Sequence, residues 1–242
     1  MIKGKVVIVT GAARGLGQKY IIELAKEGAQ VVFADINDCN ETEAKVSEIT
    51  NDYLSLNLDV TEFDSCGNLV SSAVEKFGKV DVLVNNAGIL RSQMRLEEMD
   101  AQRINAILTN NVTSYFLCCR EAVKRMSTRH GGKGGNIVNV SSGAARSGSP
   151  NEYIDYAASK GAIDTLTKGL SLEVANEGIR VNCVRPGLIY TDMHTDGGEP
   201  ERIERLKSVI PMKRGGQPEE VAQAIYWLAS DKSSFSTGNF LD

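Results

Sequence analysis

The sequence predicts an α/β fold in which about seven parallel strands form a doubly wound sheet with helices on both faces. Short apolar runs alternate along the chain with longer stretches of helical periodicity, and no linker interrupts the alternation. This order of elements is typical of parallel sheets that are buried on both faces. A chain of 242 residues is long enough to form one such unit, so we expect a single domain over residues 1–242.

The first strand, helix and second strand carry the strongest local pattern. An apolar strand over residues 5–10 leads directly into a glycine-rich turn, and a helical stretch with one apolar face follows. The glycines of this turn are Gly11, Gly15 and Gly17. The second strand, at residues 31–33, is followed by Asp35, which comes 18 residues after Gly17. This arrangement predicts a dinucleotide-binding site, in which the pyrophosphate binds at the N-terminus of the helix.

The later apolar runs predict the rest of the sheet. They cover residues 54–58, 80–84, 137–140 and 179–184. The glycine-rich run at 131–135 indicates a surface turn, because an apolar strand follows it. The least regular segment, 188–216, comes after the carboxyl end of a strand. Ligands bind at that edge in open α/β sheets, so we expect this segment to be a mobile substrate lid.

Tyr156 and Lys160 are four residues apart in a helical stretch, and they therefore share one helix face. An isolated tyrosine has a pKa of ~10 and is a poor base at neutral pH. A cation held one helical turn away favours the phenolate, which suits the side chain to proton transfer. The pattern alone is weak, because an aromatic residue and a lysine at this spacing more often form a solvated helix face.

Together, the motifs resemble those of the short-chain dehydrogenase/reductase family over the whole chain. They are the segments 10–17, 59–60, 85–88, 141–142 and 185–187, with Asn111, Tyr156, Lys160 and Thr191. The segment 157–193 further resembles the glucose/ribitol-dehydrogenase-like and β-oxoacyl-reductase-like members. The resemblance implies a Rossmann fold. It also implies NAD(P)-dependent hydride transfer between a nicotinamide ring and an alcohol or ketone carbon.

The resemblance implies four catalytic residues. Tyr156 removes the hydroxyl proton during oxidation and returns it during reduction. Lys160 lowers the pKa of Tyr156, helped by the positive nicotinamide, and binds the ribose hydroxyls. Ser142 donates a hydrogen bond to the reacting oxygen, and Asn111 positions a water that connects Lys160 to bulk solvent.

Neighbouring residues compete for two of these roles. Ser141 and Ser142 point to opposite sides at the end of a predicted strand, and Ser142 matches the family motif. The gap of 14 residues from Ser142 to the catalytic tyrosine is one longer than is usual in the family, which indicates a lengthened substrate loop. Asn110 competes with Asn111, and Asn111 is favoured because it precedes Phe116 by five residues.

Cofactor contacts are implied at the strand ends and in the glycine turn. The residues are Gly11, Arg14, Gly15, Leu16, Gly17, Asp35, Asp59, Val60, Asn86, Ala87, Gly88, Tyr156, Lys160, Pro186, Gly187, Ile189 and Thr191. A carboxylate at Asp35 accepts hydrogen bonds from ribose hydroxyls and repels a 2′-phosphate, so we expect NAD. NADP remains a minority alternative, because Arg14 could pair with that phosphate. Asp35 could instead be a turn residue or helix cap, and Asp59 could be the N-cap of the next helix.

Composition and charge argue against other classes of partner. The net charge of -4 gives no reason to expect nucleic acid or an anionic membrane. No apolar run reaches the length of a membrane span, and no signal peptide precedes the first strand, so we expect a cytoplasmic protein. The five cysteines have neither metal-ligand nor disulfide spacing, and the chain has only two histidines. We therefore expect no metal site.

The expected partners are a small alcohol or ketone substrate and further copies of the chain. Helical stretches at 111–126 and 156–174 carry more apolar and small residues than one buried face requires. This surplus predicts a homodimer or, by the family resemblance, a homotetramer. Polar residues in the loop 146–152 favour a hydroxylated substrate. His194 is a candidate substrate contact, because it is the only histidine near the predicted site.

Two other functions remain open on the same fold. A catalytically silent dinucleotide-binding regulatory protein would lack the tyrosine or the lysine, and both are present. A non-redox enzyme, such as an epimerase or a dehydratase, usually needs extra length after the sixth strand, of which the chain has little. The family pattern continues to a glycine-rich tail, so a chain that ends at Asp242 could be truncated there.

Overall fold

The computed structural model describes residues 1–242 and contains a seven-stranded sheet. The strands are β1 (Val6–Thr10), β2 (Gln30–Asp35), β3 (Tyr53–Asn57), β4 (Val82–Asn85), β5 (Gly135–Val140), β6 (Ile179–Val184) and β7 (Phe240–Leu241). Neighbouring strands are all parallel, in the order β3-β2-β1-β4-β5-β6-β7. The predicted doubly wound parallel sheet is confirmed.

Ten α-helices connect the strands. They are α1 (Gly15–Lys26), α2 (Asn40–Ser47), α3 (Ser65–Phe77), α4 (Ala101–Leu108), α5 (Ser114–Met126), α6 (Ala144–Ser147), α7 (Ile154–Glu173), α8 (Met193–Asp196), α9 (Arg202–Leu206) and α10 (Pro218–Ala229). None of them combines the length and the apolar character that crossing a membrane would need. The glycine-rich run between α5 and β5 is a turn, as predicted, with φ angles of 86° at Gly131 and 84° at Gly134.

Two apolar cores lie on opposite faces of the sheet, because successive strand side chains point to alternate sides. On one face, Val7 and Val9 of β1 belong to a cluster of 24 buried residues that includes the apolar sides of α1 and α10. On the other face, Val6 and Ile8 belong to a cluster of 19 buried residues with α3 and α5. Both faces of β1 are therefore buried, which explains its uninterrupted apolar sequence.

The direction in which the chain crosses the sheet reverses at β1. Strands β2 and β3 lie on one side of β1, and strands β4 to β7 lie on the other. Connections from β1 and β4 therefore leave in opposite directions, and a crevice opens at their carboxyl ends. Ligands bind at such a reversal point in open α/β sheets.

Candidate active site

The turn between β1 and α1 has no space for a side chain at Gly11 or at Gly17. Gly11 and Gly15 have φ angles of 69° and 59°, in the left-handed region that favours glycine. A Cβ on Gly17 would lie 2.1 Å from the carbonyl oxygen of Gly11. Asn86 fixes the turn by donating from Nδ2 to the carbonyl oxygens of Thr10, at 3.0 Å, and Gly11, at 2.8 Å. No side chain caps α1, so its first amides form a cradle that fits a pyrophosphate.

Asp35 lies at the carboxyl end of β2 and is held against this turn. Its Oδ2 accepts a hydrogen bond from the backbone N of Ala13 at 3.0 Å. Its Oδ1 accepts from the backbone N of Asn37 at 2.9 Å and from the side-chain amide at 3.1 Å. Asp35 is not a helix cap, since Cys39 precedes α2, but its bonds to Asn37 do make it a turn residue as well. Its carboxylate is oriented beside the glycine turn, where a ribose next to the pyrophosphate would lie.

Asp59 and Val60 follow β3 at the same edge of the sheet. The Oδ1 of Asp59 accepts from the backbone N and the Oγ1 of Thr61, at 2.8 and 2.7 Å. Helix α3 begins only at Ser65, and Asp64 precedes it. The alternative interpretation of Asp59 as an N-cap is therefore wrong. Asp59 instead orders the turn that follows β3.

Asn111 is fully buried within a π-helical segment, Thr109–Thr113, that joins α4 to α5. Its Oδ1 accepts from the backbone N of Ile89 at 2.8 Å, and its Nδ2 donates to the Ile89 carbonyl at 3.0 Å and to Ser159 Oγ at 3.2 Å. The wider π-turn accommodates a polar residue in the middle of a long helical stretch, a feature frequent at functional sites. Asn110 instead donates to a carbonyl of its own helix, so the geometry favours Asn111.

Gly88, Asn111 and Lys160 converge behind the cavity. A Cβ on Gly88 would lie 3.3 Å from Asn111 Oδ1 and 3.6 Å from Lys160 Nζ. The Nζ of Lys160 donates to the Val140 carbonyl oxygen at 2.8 Å and to the Tyr115 hydroxyl at 3.4 Å. Lys160 thus connects α7 with the end of β5 and with α5.

Tyr156 and Lys160 are both buried, with exposed fractions of 8% and 3%. The Nζ of Lys160 lies 5.6 Å from the centre of the Tyr156 ring. Burial raises the pKa of Tyr156 to about 12, and the Ser142 hydroxyl acts in the opposite direction. Burial also lowers the pKa of Lys160 to about 8, against the attraction of Cys183 and Asp164.

These shifts correct one expectation from the sequence. Lys160 does not depress the pKa of Tyr156 in the protein alone, because removal of the phenol from water is the larger effect. The spacing of Tyr156 and Lys160 places the two groups together, as predicted, but it does not determine how deeply the fold buries them.

The two serines after β5 have different partners. Ser141 Oγ donates to the backbone carbonyl oxygen of Lys160 at 3.0 Å and is buried. Ser142 is only partly buried, and its Oγ accepts from the backbone N of Ala144 at 3.1 Å. The Ser142 hydroxyl proton is directed into the cavity, where it acts on the Tyr156 oxygen and can reach the oxygen of a substrate held there. This geometry favours Ser142 over Ser141.

A cavity of about 290 Å³ opens at the carboxyl end of the sheet. Ten of the predicted site residues line it: Leu16, Asn86, Gly88, Ser142, Tyr156, Lys160, Pro186, Gly187, Ile189 and Thr191. The others lie outside its lining: Gly11, Arg14, Gly15, Gly17, Asp35, Asp59, Val60, Ala87 and Asn111. Those outside lie at the carboxyl ends of β1 to β4 or at the start of α1, apart from Asn111, which is buried in the π-helical segment.

The segment 188–216 covers the cavity from one side. Its ends are joined, because the backbone N of Tyr190 donates to Gly216 O at 3.0 Å and the N of Gly216 donates to Leu188 O at 2.9 Å. His194 and Arg202 line the cavity from this segment. His194 was predicted as a substrate contact from its position, and the structure places it at the cavity.

Sequence reasoning did not identify several residues around the cavity. They are Tyr115, which contacts Lys160, Ser159, which contacts Asn111, and the lining residues Leu90, Tyr153 and Arg202. No short motif marks these positions, since they come from separate elements that only the fold brings together. Tyr115 alone had a local signal, as an aromatic residue four positions after Asn111 in the same helical stretch.

Comparison with known proteins identifies the family of this chain. The family model described as enoyl-(acyl carrier protein) reductase matches residues 11–242. An uncharacterized oxidoreductase, YgfF, of Escherichia coli is 53% identical over 240 residues, covering 98% of this chain and 97% of the relative. A glucose and ribitol dehydrogenase of Daucus carota is 37% identical over 250 residues, covering 99% of this chain and 84% of the relative.

A solved structure shows the same fold. The 3-ketoacyl-(acyl-carrier-protein) reductase of Brucella melitensis, complexed with NADH, superposes with a TM-score of 0.91 at 32% identity. The match covers 100% of this chain and 97% of the other. The fold and site define an NAD(P)-dependent oxidoreductase that acts on alcohol and ketone carbons. The chain belongs to the short-chain dehydrogenase/reductase family.

Proposed function

We propose that the enzyme interconverts a hydroxylated alcohol and its ketone, with Tyr156 as the acid/base and NAD as the preferred cofactor. The observation that carries this proposal is the convergence of Ser142, Tyr156 and Lys160 on one cavity beside the glycine cradle. When bound, the nicotinamide supplies the hydride chemistry. The catalytically silent alternative is not favoured, because both Tyr156 and Lys160 are present and lie together.

Each catalytic side chain has a separate task. Tyr156 takes a proton from the substrate hydroxyl in oxidation and donates one to the developing alkoxide in reduction. Ser142 donates a hydrogen bond to the same oxygen. Lys160, whose pKa is lowered to about 8, exchanges protons near neutral pH and stabilises the phenolate when it is charged. Asn111 holds the backbone at Ile89 beside Lys160 and would position the water that leads to solvent.

The preference for NAD rests on Asp35. Its carboxylate is fixed beside the glycine turn by bonds to Ala13 and Asn37, so it cannot swing away from an incoming 2′-phosphate without breaking them. The free 2′ and 3′ hydroxyls of an NAD ribose donate hydrogen bonds to the carboxylate, whereas the 2′-phosphate of NADP is repelled by its negative charge. The remaining cofactor residues would hold the adenine at Asp59 and the nicotinamide at the segment 186–191.

His194 favours a substrate that carries a second hydroxyl group. Its Nε2 lies 3.1 Å from the carbonyl oxygen of Ile189, and a carbonyl only accepts, so Nε2 holds the ring proton. Burial and the nearby Arg202 lower the pKa of His194, which keeps the ring neutral. Its buried Nδ1 is then an acceptor without a partner. Movement of the segment 188–216 would expose this atom to a substrate hydroxyl, which can donate to it, while an apolar acyl or steroid chain cannot.

The segment 188–216 would act as the substrate lid. Its joined ends at Tyr190 and Gly216 provide a hinge, and Arg202 attaches it to the substrate loop through Glu152 at 2.5 Å. This pair is largely buried, with side-chain exposures of 11% for Arg202 and 24% for Glu152, so it would hold the lid closed against the substrate loop until the lid opens.

We further propose a homotetramer, or a homodimer, that works in the cytoplasm. Large apolar side chains remain exposed on the elements around α5 and α7: Phe63, Leu108, Phe116 and Leu172 have exposed fractions of 65%, 39%, 51% and 70%. Contact with a second copy would bury them.

The test of the proposed function is a turnover screen with NAD and NADP over matched substrate pairs. Each pair would compare a polyol or sugar with the corresponding simple secondary alcohol, and β-oxoacyl thioesters would form a third group. We expect NAD-linked turnover and a higher kcat/KM for polyols or sugars than for their deoxygenated partners. Selective reduction of β-oxoacyl thioesters would contradict the proposed substrate class.

A further inference from the structure

Arg14 and Asp196 form an ion pair across the crevice, between the glycine turn and the segment 188–216. The Nη2 of Arg14 lies 2.5 Å from Asp196 Oδ2, and Nη1 lies 3.5 Å from Oδ1. Arg14 is the N-cap residue of α1, and Asp196 is the last residue of α8. The two residues are 182 positions apart in the chain, so no motif connects them.

We propose that Asp196 is a cofactor-selectivity residue, which disfavours NADP by holding the Arg14 guanidinium away from a 2′-phosphate. This inference rests on the proposed function only in taking the glycine turn as the dinucleotide site. A guanidinium that pairs through two nitrogens with one carboxylate has its charge neutralised, and those two N–H donors are not available to another anion. To bind a phosphate, Arg14 must first leave Asp196.

Arg14 lies close to the expected position of the 2′-phosphate, so Asp196 and the phosphate would compete for the same guanidinium. Ala13, the residue before Arg14, donates its backbone amide to Asp35, the carboxylate placed to bind the adenosine ribose. Arg14 is thus the cation nearest along the chain to the point where a 2′-phosphate would attach. It has no ion-pair partner other than Asp196. Asp35 repels that phosphate directly, and Asp196 withholds the arginine that could compensate for the repulsion.

The pair is half exposed, with side-chain exposures of 56% for Arg14 and 42% for Asp196. Exposed ion pairs are weak, so the predicted effect is modest. Removal of the Asp196 charge frees the Arg14 guanidinium to pair with a phosphate. We expect this release to tighten NADP binding by about two- to tenfold, since each tenfold corresponds to about 1.4 kcal/mol. NAD, which lacks the 2′-phosphate, should bind with nearly unchanged affinity.

The test is equilibrium binding of NAD and NADP, by calorimetry, to the wild type, Asp196→Asn, Arg14→Ala and the double variant. Asp192→Asn is the matched control, because it removes the same charge from the exposed residue before α8, and Asp192 has no ion-pair partner. We expect tighter NADP binding in Asp196→Asn alone. The double variant should bind NADP no better than Arg14→Ala does. The effect should shrink at high salt.

Three results would overturn the inference. They are an unchanged NADP affinity in Asp196→Asn, an equal gain in Asp192→Asn, and a gain in Asp196→Asn that persists without Arg14. Failure of the proposed function would look different, because the wild type would then bind neither NAD nor NADP. Binding does not depend on knowing the substrate, so the two outcomes are separable.

Discussion

Replacement of Lys160 by Met should stabilise the fold near neutral pH while it damages the enzyme. The lysine is 3% exposed, and burial lowers its pKa from 10.5 to about 8. At ~1.4 kcal/mol per pKa unit, the folded state loses about 3 kcal/mol by holding the ammonium charged. Met has a similar length and no charge, so the variant does not carry this penalty.

The lost hydrogen bond reduces the gain only in part. Lys160 donates to the Val140 carbonyl oxygen, but the Tyr115 hydroxyl also donates to that oxygen, at 3.0 Å. The carbonyl therefore keeps a partner in Lys160→Met, and the loss should be about 1 kcal/mol. The expected net gain at pH 7 is about 2 kcal/mol in the free energy of unfolding.

The pH dependence gives the sharper test of this prediction. Because the folded pKa lies below the unfolded one, the unfolded chain binds more protons between pH 8 and 10.5, and wild-type stability rises with pH in that window. Above pH 10.5 the lysine is neutral in both states, so the wild type has its full stability. That stability is lost as the pH falls through 8, where the buried amine must take up a proton. The advantage of Lys160→Met should accordingly disappear between pH 8 and 10.5. Tyr156 titrates above this window, with a pKa of about 12.

Urea unfolding of both proteins at a series of pH values, at one fixed protein concentration, measures the difference. Lys168→Met is the control, because it removes a lysine from an exposed position of the same helix. It should show no comparable dependence on pH. A Lys160→Met variant that is less stable than the wild type at pH 7, by an amount constant up to pH 10, would refute the reasoning.

The other predictions concern the turn, the cofactor and assembly. Gly17→Ala places a Cβ 2.1 Å from a carbonyl oxygen, so it should lower the free energy of unfolding by about 1–3 kcal/mol and weaken NAD binding. Gly67→Ala, in open space on α3, is the control and should do neither. Equal urea midpoints for the two variants would contradict this prediction. Asp35→Ala should narrow or reverse the NAD preference, measured as the ratio of kcat/KM for NAD and NADP, by about tenfold or more; equal efficiency of the wild type with both cofactors would contradict it. Light scattering at micromolar concentration should give a dimer or tetramer mass, and Phe116→Glu, at a position with an exposed fraction of 51%, should lower it; a monomeric wild type would contradict the assembly.

Features encoded over short distances could be predicted from the sequence. The glycine turn and the Tyr156–Lys160 pair depend on spacing within one or two elements, and the structure places both at the carboxyl edge of the sheet. The parallel sheet could be predicted for a similar reason, because each βα unit repeats the same local pattern.

Features that depend on packing could not be predicted. The π-helical segment around Asn111 and the contact of Tyr115 with Lys160 arise where separate elements meet. The raised pKa of Tyr156 in the protein without its cofactor could not be predicted, because desolvation depends on everything that covers the phenol. The Arg14–Asp196 pair joins residues that no sequence window contains.

The central claim is that the Tyr156 phenol carries the proton, and Tyr156→Phe tests it most directly. The ring would still pack, so NAD affinity measured by calorimetry should stay nearly unchanged, while kcat toward a confirmed alcohol substrate should fall by at least ~10²–10⁴-fold. Ser142→Ala should lower kcat with little effect on NAD binding, which separates loss of the hydrogen bond from loss of the proton carrier. A Tyr156→Phe enzyme that retained most of its turnover would contradict the account.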